Sequence, residues 1–248
     1  MEANKILFHS SSNGLLMVEP RTKSETISET TKSHLLNIWI EEKYNRRKNI
    51  SNKFLDKGNA VEEDSMTLYS LLKKQMFTKN NKFFENDFIC GTPDIINGDT
   101  VIDIKSSWDI FTFFAAGKSL NKDYMIQLQC YMELTGCTRA VLAYCLVNAT
   151  PKLIEDAKRR AAYDVDILSE DFTIVCKKIE MDMIFDYALF RQQNPKYDLH
   201  THISEWLGDI PKEERVIEFS FERDNVLIES IYKRVAECRT WIQTNLIR

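Results

Sequence analysis

The six cysteines, at positions 90, 130, 137, 145, 176 and 238, include no CxxC pair. Ligands of structural zinc and of iron–sulfur clusters come in close pairs, so this scatter argues against both and fits reduced thiols in a cytosolic compartment. No apolar run approaches the ~20 residues that span a bilayer, and Met1 to Lys5 open no signal peptide. A cytoplasmic location without membrane association is therefore expected. No internal repeat or low-complexity linker divides the 248 residues, which points to a single domain over 1–248. Basic excess is missing as well: 33 Lys and Arg stand against 37 Asp and Glu, a net charge of −4. That balance argues mildly against a nucleic-acid partner, but clustering outweighs the sum. Basic clusters do occur at Lys43 with Arg46-Arg47-Lys48, at Lys73-Lys74 and at Lys158-Arg159-Arg160, each read alone as a solvated helix face. What is present is 44% hydrophobic residues with 11% aromatics, enough for a sizeable core.

The hydrophobic pattern gives an ordered set of elements. The Ser cluster and Gly14 in residues 5–18 suggest a turn into a short helix, and 24–49 reads as a helix with a wet, basic end. In 56–77, Val61, Leu68 and Leu72 recur at helical spacing. Residues 82–91 alternate as a strand. Gly98-Asp99 marks a hairpin between "TPDIIN" and "TVIDIK". A helix is expected over 122–135, ending near Gly136, then an apolar strand over 139–148 of the kind buried on both faces. A charged helix follows Pro151 to about Asp164, and a helix lies between about 178 and 194. Residues 215–222 alternate, with Ile217, Phe219 and Phe221 on one face. Asp224 can cap a last helix carrying Leu227, Ile231, Val235 and Trp241. Helix, three strands, helix, strand predicts an α/β fold with a mixed central sheet flanked by helices.

The stretch "GTPDIINGDTVIDIKSSW" (91–108) carries a charge problem. In the strand Val101–Lys105, alternation puts Asp103 and Lys105 on one face and Ile102 and Ile104 on the other. Burying such a pair is costly unless something compensates it. Asp94, behind Pro93, lies on the neighbouring antiparallel segment. On the 56–77 helix, with ~100° per residue, Glu62 falls on the flank of the buried face while Glu63 points to solvent. Glu62, Asp94 and Asp103, with the Ile104 carbonyl, are hard oxygen donors that suit Mg²⁺ or Mn²⁺ rather than zinc. Lys105 would stand beside a bound water. Gln127 and Tyr131, four apart on one helix face, could contact a phosphate or orient Lys105. Each piece alone is weak; the order Gly58…Glu62, Gly91-Thr-Pro-Asp94, Asp103-Ile-Lys105, Gln127-x-x-x-Tyr131 is specific.

That order resembles the PD-(D/E)xK nucleases, in the RecB-like branch with its Gln-x-x-x-Tyr motif. Residues 57–70 and 124–136 look like the matching helices of the lambda-exonuclease and YqaJ recombination enzymes. The resemblance spans about 55–147 and implies a restriction-endonuclease-like core there, with an N-terminal helical extension and a C-terminal strand-helix extension. It implies a Mg²⁺- or Mn²⁺-dependent deoxyribonuclease of phage-type recombination or repair, working as an exonuclease on duplex ends or single strands and leaving 5′-phosphates. In that reading Asp94, Asp103 and the Ile104 carbonyl hold the metal, Glu62 helps directly or through water, and Lys105 orients or deprotonates the attacking water. Gln127 and Tyr131 complete the site. A homo-oligomeric ring, a single-strand annealing partner and, for a phage-encoded chain, the host cytoplasm are implied too. The last acid before x-Lys is often Glu in the family and is Asp103 here, which the motif allows. The grouped C-terminal cysteines of the iron–sulfur branch are missing, and His9 reads as structural. Two other readings stay open: a structure-specific endonuclease, and a DNA-end-binding protein without turnover. The intact Asp103-x-Lys105 argues against the latter.

Overall fold

A computed structural model describes residues 2–48 and 52–247. The chain opens with strand β1 (Phe8–His9) and a 3-10 turn over Ser10–Leu15. Helix α1 (Glu29–Tyr44) is shorter than the expected 24–49, whose last residue lies outside the described residues. It starts at Ser28, whose Oγ accepts the Thr31 N–H at 3.1 Å, and stops where Asn45 turns left-handed at φ 52°. The helix expected over 56–77 is two: α2 (Lys53–Ala60) and α3 (Glu62–Lys73), separated by Val61 at φ −125°, ψ 18°. Gly58 and Asn59 are weak helix formers and Val61 is β-branched. Burial of Val61, 1% exposed, fixes the bend at that residue.

The strand expected over 82–91 is a tight hairpin, β2 (Phe84–Glu85) with β3 (Ile89–Gly91). Asn86 reverses the chain: its side-chain oxygen accepts the N–H groups of Phe88 and Ile89 at 2.9 and 3.0 Å. Strand β3 also pairs in parallel with β1, giving a small sheet of order β1-β3-β2. The segment 82–91 thus lies in a small sheet beside the expected mixed central sheet. The central sheet begins with the expected hairpin, β4 (Ile95–Asn97) and β5 (Thr100–Ser106), joined through Gly98 at φ 58°. Helix α4 (Ile110–Lys118), absent from the sequence reading, and α5 (Lys122–Thr135) form the crossover to β6 (Arg139–Cys145), which runs parallel to β5. Then come α6 (Pro151–Ala161), α7 (Glu170–Met183) and α8 (Tyr187–Gln193). The helix expected across 178–194 is broken between α7 and α8, where Ile184 and Phe185 turn inward to 1% and 3% exposure. Strand β7 (Val216–Glu222) closes the order β4-β5-β6-β7, antiparallel to β6. Helix α9 (Asn225–Asn245) is capped by Asp224 as expected, its Oδ1 accepting the Leu227 N–H at 3.0 Å.

Two cores sandwich the larger sheet. On one face α5 packs Leu128, Tyr131 and Met132 against Val101, Leu142 and Tyr144, with Ile217, Phe219 and Phe221 alongside. On the other, α3 packs Met66, Leu68 and Tyr69 against Ile95, Ile102 and Ile104. The alternation of β5 therefore aims Val101 and Asp103 at α5, and Ile102 and Ile104 at α3. All six cysteines are buried thiols. Among the described residues, no helix is long and apolar enough to cross a membrane.

Candidate active site

Asp103 is 1% exposed in the centre of β5. Its Oδ1 accepts from the Gln127 amide at 3.2 Å, and its Oδ2 lies 2.7 Å from Lys105 Nζ, with no hydrogen bond from any other group among the described residues. Gln127 uses the same nitrogen to donate to the Tyr131 hydroxyl oxygen at 2.9 Å. The Gln-x-x-x-Tyr pair on α5 thus grips the acid of β5 rather than Lys105. Tyr131, 5% exposed, is the buried end of that chain. Burial, then the Asp103 carboxylate, hold its phenol protonated, above the ordinary tyrosine range.

Asp94 stands one residue before β4, and its Oδ2 accepts the backbone N–H of Ile104 at 2.8 Å. That bond ties the acid to the strand carrying Asp103. Burial and the Asp103 carboxylate push Asp94 well above the usual carboxylate range, with Glu62 adding to the push and Lys105 opposing it. Burial alone would lower the Lys105 ammonium, but Asp103 and Asp94 outweigh it and hold it above the ordinary lysine range. Its Nζ lies 4.8 Å from the centre of the Tyr124 ring.

Glu62 opens α3 and faces the same cavity as Asp94, Ile104, Lys105 and Gln127, a space of about 540 Å³. Glu63 lines a different hollow on the outer side of α3. The separation expected from helix phase is present, although the helix starts later than expected. Glu62 is also held by Lys79, with Oε2 and Nζ 2.5 Å apart. Among the described residues no three His, Cys, Asp or Glu side chains stand together as a ready metal cluster. Two of the acids are instead met by lysines, Asp103 by Lys105 and Glu62 by Lys79. The donor set still suits a hard cation. Asp94 and Asp103 repel each other, all the donors are oxygens, and buried Asp103 Oδ2 meets the Lys105 ammonium and, among the described residues, no other donor.

Gly91, at the head of the motif, permits a close approach. A Cβ there would lie 2.8 Å from Tyr131 Cε1 and 3.1 Å from Ser10 Oγ. Ser10 donates to the Cys90 carbonyl at 2.9 Å, so the N-terminal serine turn is wedged beneath the site. His9 is exposed and packs edge-on to Phe83.

The sequence reading missed several residues of the cavity. Phe54 and Trp108 line it, their rings at 72° with centroids 6.1 Å apart, and Lys53 Nζ is 5.2 and 5.0 Å from the two ring centres. Beneath them Lys57 is fully buried and donates to the Trp108 carbonyl at 2.8 Å. Burial pushes Lys57 down to about 7 against the pull of Asp109. Ser65 and Ser106 share a hydrogen bond of 2.8 Å. No motif signal marks these positions, because the pairings join α2 to the loop after β5 and α3 to the end of β5.

Similarity to solved structures extends over almost the whole chain. A phage-related exonuclease from Haemophilus somnus 129PT aligns at 26% identity, covering 97% of this chain and 95% of that one, with a TM-score of 0.71. An alkaline exonuclease, LHK-Exo, from Laribacter hongkongensis aligns at 13% identity over 98% of this chain and 90% of that one, TM-score 0.59. Its complex with dAMP aligns at 14% identity over the same shares, TM-score 0.58. No family model and no curated protein matches the chain. The fold, well beyond the 55–147 stretch that carries the motifs, is that of the phage-related and alkaline exonucleases, and the resemblance to PD-(D/E)xK recombination exonucleases read from the motif order holds.

Proposed function

We propose that this chain is a Mg²⁺- or Mn²⁺-dependent exonuclease that hydrolyses DNA phosphodiesters from ends. The observation that carries this reading is the meeting of Asp94, Asp103 and Lys105 beside one cavity, in a chain that shares its fold with exonucleases. Asp94, Asp103 and the Ile104 carbonyl would hold the metal, with Glu62 reached directly or through water. The ion supplies Lewis-acid polarisation of the phosphoryl oxygen and lowers the pKa of water. The protein's own groups do the positioning. Lys105, kept as an ammonium by Asp103 and Asp94, orients the attacking water and meets negative charge growing on the phosphoryl group. Gln127 fixes the Asp103 carboxylate, and Tyr131 fixes Gln127. Water attack with the 3′-oxygen leaving gives a 5′-phosphate product. A ring of subunits and a role beside a single-strand annealing protein in recombination extend the same reading.

The test is end-labelled linear duplex and covalently closed circular duplex incubated with Mg²⁺. Progressive loss of the linear substrate to nucleotides, with the circle intact, is expected. Nicking of the circle at a comparable rate would instead favour the endonuclease, and no hydrolysis in Mg²⁺ or Mn²⁺ would leave only end binding.

A further inference from the structure

The mouth of the cavity holds an aromatic corner that the hydrolytic groups do not use. Phe54 is 53% exposed and joins none of the four hydrophobic cores formed by the described residues. It opens onto the same space as Glu62, Asp94 and Lys105. Trp108 meets it at 72° with 6.1 Å between centroids, so the two rings present one face and one edge at roughly a right angle. Lys53 places a cation about 5 Å from both ring centres.

The corner is held rigidly. Buried Lys57 pins the Trp108 carbonyl at 2.8 Å, Ser107 donates its N–H to the Cys145 carbonyl at 2.8 Å, and Asp109 caps α4 immediately afterwards. Trp108 rests with its other side on the core formed by α6 to α8. The exposed Phe54 ring beside the fixed indole, with Lys53 at hand and the acids of the same cavity below, offers a flat ligand a stacking surface. Base–aromatic stacking with a nearby cation is the sequence-tolerant way to hold an unpaired nucleobase. The cavity of about 540 Å³ lies within the ~300–1,000 Å³ of ordinary ligand sites.

We infer that Phe54 and Trp108 form a stacking subsite for the base of the nucleotide being removed, with Lys53 on its phosphate side. This rests on the proposed hydrolysis of DNA and deepens it: the enzyme takes a terminal nucleotide whose base has left its partner, and reads a π-face rather than a particular base.

The test compares linear duplexes whose terminal nucleotides are either normal or abasic tetrahydrofuran analogues, with Mg²⁺, by single-turnover release. Removing the base should slow the wild type by about 5- to 150-fold, the span of one base–aromatic stack. Phe54→Ala and Trp108→Ala should lose a similar factor on normal ends, mainly in KM, and should no longer distinguish normal from abasic ends. Trp108→Phe should restore most of the discrimination. Equal wild-type rates on the two substrates overturn the subsite, and so do alanine variants that discriminate as the wild type does. Because the first comparison uses the wild type, poor folding of a variant does not shield the inference. If the wild type hydrolyses neither substrate, the hydrolytic reading fails, and Trp fluorescence decides the subsite separately. Saturable quenching by dAMP, absent with deoxyribose 5-phosphate and absent in Trp108→Phe, sustains it; no such quenching overturns it.

Discussion

Two buried lysine–carboxylate clusters in this molecule are built to opposite specifications. In the C-terminal helices, Glu180 is fully buried and both of its oxygens are provided for. Oε1 takes Lys158 Nζ at 2.8 Å and the His200 N–H at 2.9 Å, and Oε2 takes the Thr201 N–H at 2.8 Å. Burial would raise Glu180, but Lys158 and Thr201 outweigh it and hold it below the usual range. Lys158 also meets a second acid, Glu155 at 3.3 Å, but that one is half-exposed, whereas in the β5 site Asp94 and Asp103 share the Lys105 ammonium with less access to water. Among the described residues Asp103 Oδ2 has only Lys105, and Asp94 is pushed up rather than down. A buried pair that serves stability is supplied with donors until its charge is settled. The β5 site is left one positive charge short, which is the condition a metal site needs before the metal arrives.

The sharpest way to break the comparison is to remove one charge from each cluster. Asp103→Asn should lower hydrolysis in Mg²⁺ at least ~100-fold, with DNA retention in a gel-shift unchanged, because a charge is lost and the shape kept. Lys105→Ala should do the same. Near-wild-type cleavage by either variant would dissolve the distinction. Glu180→Ala should act on the other ledger. It takes from buried Lys158 its fully buried partner, leaving the half-exposed Glu155 and the Tyr197 hydroxyl, and should cost about 3 kcal/mol in urea unfolding, while hydrolysis per folded molecule stays at the wild-type rate. A catalytic loss without an unfolding shift would put the two clusters in one functional network.

Glu62→Gln should reduce activity about 10-fold or more in steady-state assays, and Glu63→Gln should leave it unchanged, since only Glu62 shares the cavity with Asp94. Equal losses would mean that the start of α3 is rotated from its observed phase.

The smallest effect concerns the missing charge itself. Asp94 has a folded-state pKa above its unfolded value, so its ionisation in the folded state carries a penalty. That penalty is absent below the ordinary Asp range, grows as pH rises from there to the elevated folded value, and is complete above it. Metal-free protein should therefore be less stable than Asp94→Asn at pH 8, by about 1 kcal/mol after screening, and equal to it near pH 4. Thermal melts at the two pH values read this directly, and Mg²⁺ should close the gap at pH 8. A variant less stable than wild type at pH 8 without metal would show that Asp94 is a satisfied structural acid like Glu180.

How much of this could be read from the sequence depends on whether the signal was local. The alternation of Ile102, Asp103, Ile104 and Lys105 fixes which faces they occupy, and Gly98-Asp99 fixes the register that brings Asp94 beside Ile104. Both are short-range facts, and the hairpin is as expected. The order of motifs carried the fold because each motif residue keeps its place on its own element. Three things were not legible. Helix α4, "IFTFFAAGK", is apolar on nearly every side, so it shows no periodicity, and its capping box begins at Asp109, inside what reads as a loop. The break at Val61 is imposed by the core, not by a local stop signal. The Lys57–Trp108 and Phe54–Trp108 pairings exist only once α2 has docked beside β5, and no one-dimensional spacing encodes them.

The order in which the site comes together follows from the parallel pairing of β5 with β6. The β4–β5 hairpin closes through a two-residue turn on the microsecond scale, and with it Asp94 reaches Ile104. Gln127, Tyr131 and Tyr144 arrive only after the whole α4–α5 crossover has been closed, an entropic cost met before any long-range contact repays it. Contact order alone would bring the acids into register before the grip on Asp103 and the roof of the cavity form. Pulsed hydrogen exchange during refolding should show the amides of 101–104 protected before those of 140–145; the reverse order would overturn this sequence of events. A chain that had closed only the β4–β5 hairpin would hold Asp94 against Ile104 while Asp103 still lacked the grip of Gln127 and Tyr131.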